Sequence, residues 1–138
     1  MSAKYLHLNP ESDLPPSIEW RAFRAVVIIE LEITPEWQQK VSEWLCHSGC
    51  LYMMAWGDDC NSWDDSVDYA NLEDFDYGEI PKDKFVMTTW HDDEPLEEVF
   101  WFSKHSAFHP DVEMQDTLLV HISDHSNEQS LMSRYENA

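Results

Sequence analysis

Apolar residues in this chain come in short unbroken runs, separated by stretches where they recur at helical spacing. Phe-Arg-Ala-Val-Val-Ile-Ile at 23–29 is the clearest run, rich in β-branched residues and without polar alternation. Such a run predicts a strand buried on both faces, the signature of a parallel sheet. Leu51 to Trp56, Phe85 to Trp90 and Thr117 to Ile122 read the same way. Between the first two, Thr34 can cap a helix, Pro35 suits its first position and Glu36 complements its positive end. Trp37, Val41, Trp44 and Leu45 then form one stripe, and Gly49 is a natural stop. A second, shorter helix is predicted from Ser62 and Asp65 as a capping box, with Trp63, Val67, Ala70 and Leu72 turned inward. A third opens at Asp92 to Pro95 and carries Leu96, Val99, Phe100 and Phe108 as its buried stripe.

Strands alternating with helices predict a single three-layer α/β domain over residues 1–138. Its sheet is small and mostly parallel, with four or five strands and helices on both faces. Residues 1–19, with Pro10, Pro15 and Pro16, read as an irregular lead-in in which Tyr5 to Leu8 can add an edge strand. Residues 123–138 read as a polar tail, frayed or weakly helical around Gln129 to Tyr135.

Composition supports a folded, soluble chain: 43% of residues are apolar, with 7 Trp, 6 Phe and 5 Tyr. No apolar run approaches the roughly 18 residues of a spanning helix, and the N-terminus lacks a signal-peptide stretch. The expected setting is the cytoplasm, where Cys46, Cys50 and Cys60 stay as thiols. With 3 Gly in all, there is no phosphate-cradling loop, and there is no G-x-S-x-G elbow.

Charge changes the picture most. Eight Lys and Arg face 28 Asp and Glu, a formal charge of −20. A magnitude of about 2 to 8 keeps a small domain soluble. The excess repels nucleic acid and anionic membranes and attracts basic proteins. It is also uneven, because no Lys or Arg occurs between Val41 and Pro81. In open α/β sheets ligands bind beyond the carboxyl ends of the strands, where Glu30, Asp58, Asp59, Asp92, Asp93, His121 and Asp124 are expected. An acidic rim with interleaved aromatics suits a basic protein partner. The contact set is Asp58, Asp59, Trp63, Asp64, Asp65, Asp68, Asp74, Asp76, Tyr77, Asp92 and Asp93, with Tyr69, Phe75 and Trp90 among them. Helix-dipole effects alone account for Asp58, Asp64, Asp65, Asp92 and Asp93, but not for Asp68, Glu73, Asp74 and Asp76, which lie beyond a first turn.

The alternative chemistry is a metal-dependent hydrolase with Asp58, His91, His121 and His125 converging at the strand ends. His105 and His109, four apart, form another candidate pair, and Cys46 with Cys50 a third. None stands at a diagnostic spacing, so no cofactor is expected. Cys60 as a nucleophile is opposed by nearby acids, which disfavour a thiolate.

Three segments carry a resemblance: Gly49 to Gly57, Ser62 to Asp68 (Ser-Trp-Asp-Asp-Ser-Val-Asp) and Thr88 to His91. Through them the chain resembles an uncharacterised bacterial family of small acidic domains, over most of its length. In bulk size and charge it also resembles immunity proteins of bacterial toxin systems. That second resemblance implies a non-enzymatic inhibitor whose partner is a basic nuclease toxin, and assigns no residues.

Overall fold

The computed structural model describes residues 2–18 and 22–138. Five strands, all paired in parallel, form one sheet: β1 (Ser2–Leu8), β2 (Phe23–Ile29), β3 (Cys50–Gly57), β4 (Met87–Trp90) and β5 (Asp116–Ile122). Their spatial order is β1-β5-β2-β3-β4, which puts β2 at the centre and leaves β1 and β4 as edges. The expected three-layer α/β architecture is present, with five strands. The extended piece expected at Tyr5 to Leu8 is a full edge strand. Residue 19, where the expected lead-in ends, lies outside the described residues, as does Met1.

Four helices cover the sheet: α1 (Pro35–His47), α2 (Trp63–Glu73), α3 (Leu96–His105) and α4 (Glu128–Asn137). On one face, Trp37, Val41, Trp44 and Leu45 of α1 and Trp63 and Val67 of α2 pack on Ala25, Val27 and Ile29 of β2. Residues of the lead-in join this layer, with Leu14 and Ile18 against the same core. Two indoles of α1 hold it there, Trp37 donating to the Ser12 carbonyl and Trp44 to that of Pro15, each at 2.8 Å. On the other face, Leu96, Val99 and Phe100 of α3 and Leu131 and Tyr135 of α4 meet Val26, Ile28, Met54 and Leu119. Every residue of β2 is buried, as its unbroken apolar run requires.

Local chemistry explains most boundaries and corrects several expectations. Thr34 caps α1 by accepting from Trp37 N–H at 3.2 Å. Ser62 does not cap α2; a 3₁₀ turn, Cys60–Ser62, runs straight into that helix, and the Ser62 hydroxyl donates back to Asp59. Leu72 is exposed, and the inward position it was assigned is filled by Asn71. The buried Asn71 amide donates to Lys84 carbonyl and accepts from Val86 N–H, which fixes the entry to β4. Strand β4 is therefore shorter than the run from Phe85 suggests. Phe108 is 64% exposed, since α3 ends at His105 and the chain turns away before 108. The C-terminal segment is a packed helix, because Leu131 and Tyr135, four apart, both seat in the core.

Candidate functional site

Six carboxylates gather where β3 and β4 end. Asp58 and Asp59 follow β3 directly, and Asp59 takes a left-handed backbone (φ 51°) that Asp tolerates better than most residues. Asp64 and Asp65 occupy the first turn of α2, where the helix's positive end favours them. Beyond β4 come Asp92 and Asp93, the latter also left-handed (φ 58°). His91 N–H donates to the Ala55 carbonyl at 2.9 Å, and the Trp56 indole donates to Glu94 carbonyl at 2.7 Å. These two bonds hold the β4 loop against the end of β3. The Cys60 thiol contacts His91 backbone and feels the Asp92 charge, so the two acidic loops meet. All of the six but Asp64, which is half-buried, are exposed.

The remaining residues of the expected contact set do not share that edge. Helix α2 runs back along the sheet, and its 11 residues span about 16 Å. Asp74, Asp76 and Tyr77 therefore lie at the far, amino-terminal end, where Asp74 meets His47 at 2.8 Å. Lys82 and Lys84 follow closely in the next 3₁₀ turn and soften the charge there. The acids thus occupy both ends of the sheet, not one rim. Trp63 is 1% exposed and belongs to the core beneath α2, so it cannot touch a partner. Its helical position turns it to the sheet, in step with Val67 and Ala70.

Aromatics do reach the surface on α2, just beyond it and at the end of β4. Tyr69, Tyr77 and Trp90 are each about half exposed, at 49%, 55% and 47%. Tyr77 donates to the Tyr69 hydroxyl at 2.9 Å with the rings 5.7 Å apart. That bond and the neighbouring Glu73 help push the Tyr77 phenol up to about 12. Asp68 sits in the middle of α2, hydrogen-bonded by Thr88 of β4. This contact sets the helix against the strand. Trp90, two residues on from Thr88, stands on the same face of β4 at its carboxyl end.

A second cluster lies at the opposite side of the same carboxyl edge. The connection after β2 passes to the α1 face, whereas that after β5 passes to the α4 face, so a switch point opens between their ends. His121 of β5 stands there, 1% exposed, directly paired with His7 of β1. Its Nδ1 is 2.7 Å from the Tyr5 hydroxyl, and its Nε2 bonds Glu30, whose side chain is half exposed. The Tyr5 oxygen accepts from Asn127 N–H at 2.9 Å at the start of α4. A consistent proton arrangement runs from Tyr5 O–H to Nδ1, and from Nε2–H to the Glu30 carboxylate. His7 donates from Nε2 to the Ser123 carbonyl at 2.8 Å. The cluster ties β1, β5, β2 and α4 together.

Glu30 and His121 are expected at the strand ends from sequence, but Tyr5 and His7 are not. The signal they leave is the alternation of Tyr5 and His7 with Leu6 and Leu8 on opposite faces of β1.

The metal alternative is not assembled. His91 bonds Glu94 and Thr89, three strand positions from His121, or about 14 Å at the roughly 4.8 Å strand spacing. His105 ends α3, whereas His109 sits in the following loop and bonds Phe85 carbonyl. Among the described residues no group of three His, Cys, Asp or Glu is placed to hold a metal ion. Burial raises all three thiols above their ordinary value, Cys50 to about 12, so none is a ready nucleophile at neutral pH.

Comparison with known proteins adds the family. The profile of a domain of unknown function (DUF7684) matches residues 3–138. The chain belongs to that family. No curated protein and no solved structure matches it. The match spans all four helices and all of the sheet but Ser2, so the family's domain is this α/β unit. Among the described residues no helix is long and apolar enough to cross a membrane.

Proposed function

We propose that this DUF7684 domain is a non-enzymatic binding module that docks a basic protein on the acidic edge at the ends of β3 and β4. The observation that carries the reading is the joining of two loops and a helix start into one surface. It presents Asp58, Asp59, Asp64, Asp65, Asp92 and Asp93 beside a half-exposed Trp90. Carboxylates steer a cationic partner and raise its encounter rate, and an indole supplies a buried anchor once it docks. A cytoplasmic immunity protein that neutralises a basic nuclease toxin of bacteria is the partnership this design fits best. The histidine cluster is a weaker candidate for the working site, because both nitrogens of His121 are already engaged within the chain.

Affinity capture from source cells tests the reading. The intact chain is expected to retain one basic polypeptide in stoichiometric amount. Asp64→Lys with Asp65→Lys should lose it, while Asp74→Lys with Asp76→Lys, at the other end of α2, should keep it. Retention by the first pair, or loss by the second alone, would place the interface elsewhere.

A further inference from the structure

Among the described residues, one cation lies inside the molecule without an acid beside it. Arg24, the second residue of β2, is 3% exposed and sits at the amino end of the sheet, away from the acidic edge. Its Nε donates to the Ala107 carbonyl at 3.2 Å and its Nη2 to the Met114 carbonyl at 3.4 Å. Both acceptors belong to the loop that joins α3 to β5. Nη1 is buried with no hydrogen-bond partner, the one such side-chain atom among the described residues. Two neutral carbonyls orient a guanidinium but do not neutralise it. An unpaired buried charge is costly, and this chain of 28 carboxylates places none of them on Arg24 among the described residues.

Arg24 also lines a cavity of about 470 Å³, within the roughly 300–1,000 Å³ of small-molecule sites. Phe108, Pro110, Val112 and Met114 give it apolar walls. Phe108 is the most exposed large apolar residue of the described chain, and this wall gives it a use. Asp111 and Glu113 line the same cavity and face solvent. They oppose an anion that carries more than one charge. The loop itself is braced: His109 accepts from Asp111 N–H at 3.1 Å and bonds the Phe85 carbonyl at 2.8 Å.

We propose that this cavity binds a small monocarboxylate with an apolar body, its carboxylate on Arg24 and its body against Phe108, Pro110, Val112 and Met114. Guanidinium and carboxylate match in geometry, and a planar carboxylate can accept from more than one nitrogen of the fork. The site is independent of the acidic edge, so either can fail without the other.

The test is a titration of the ¹⁵N-labelled full chain, reading the Arg24 Nε–H resonance. Phenylacetate is the probe, with benzyl alcohol and inorganic phosphate as comparisons. Phenylacetate should move the Arg24 signal saturably, and the other two should leave it in place. Arg24→Lys, which keeps the charge but loses the fork, should abolish saturable shifts in the surrounding loop amides. Phe108→Ala alters an exposed side chain and so leaves the fold intact; it should weaken phenylacetate several-fold. No saturable movement with phenylacetate in the folded wild-type chain would overturn the proposal. An equal response to phosphate, or unchanged binding in Phe108→Ala, would overturn it as well.

Discussion

Asp68 illustrates how charge and fold conflict within one residue. Burial first, then the carboxylates of Asp64 and Asp65, raises its carboxyl above the ordinary 3.8, against a hydrogen bond from Thr88 that lowers it. Asp64 and Asp68 are four apart on α2, where like charges destabilise a helix. A carboxyl raised on folding binds more protons in the native state than in the unfolded one, so stability falls as pH rises through that interval. Asp68→Asn is therefore expected to raise Tm at pH 7, with the gain vanishing as pH drops below about 4. Thermal unfolding at pH 7 and pH 3.5 checks this; an equal gain at both would mean that ionisation is not the cause. Trp63 teaches the complementary lesson at the same scale. An aromatic among acids reads as a surface anchor in sequence, yet helical phase turns it into the core, while Tyr69 and Trp90 stay outside.

At the scale of elements, the strand runs, the α1 stripe and the Thr34 cap are legible in the sequence, whereas the Ser62 cap and several element ends are not. The apolar run at 23–29 and the Thr34-Pro35 start predict β2 and α1 closely, because each is determined by its own residues. The start of β4 depends on Asn71 bonding Lys84 and Val86, a contact 13 to 15 residues away that no local pattern announces. Helix α4 has the same origin. Its sequence is polar, and Leu131 and Tyr135, with Met132 beside them, tie it to the core formed by α3 and the sheet. Tyr135 also stacks edge-on with Phe100 at 5.1 Å. Leu131→Ala is expected to cost about 2–5 kcal/mol, in line with large-to-small core changes. Urea unfolding would measure it, and a change below about 0.5 kcal/mol would mean that α4 contributes little to the fold.

At the scale of the molecule, the sheet order decides which candidate residues meet. Sequence places acids and histidines at strand ends, but only the order β1-β5-β2-β3-β4 separates them into an acidic edge over β3 and β4 and a histidine cluster over β1, β5 and β2. Register pairs His7 with His121 and brings Glu30 alongside, a juxtaposition invisible in a linear reading. It also divides the expected contact set, leaving Asp74, Asp76 and Tyr77 at the far end of α2. Arg24 and its cavity occupy the amino end of the sheet, under the loop between α3 and β5. The fold thus keeps the acidic edge and the Arg24 cavity on separate surfaces.

A charge of −20 acts at long range, and so the central claim is tested most directly by kinetics. The association rate of the captured basic polypeptide is to be followed against ionic strength, for the natural chain and for Asp64→Lys with Asp65→Lys. Steering of this kind changes on-rates by roughly 10- to 1,000-fold at low salt. The account predicts a fall of at least about tenfold for the reversed pair at low salt, with the two chains converging as salt screens the edge. Equal rates at low salt would contradict it.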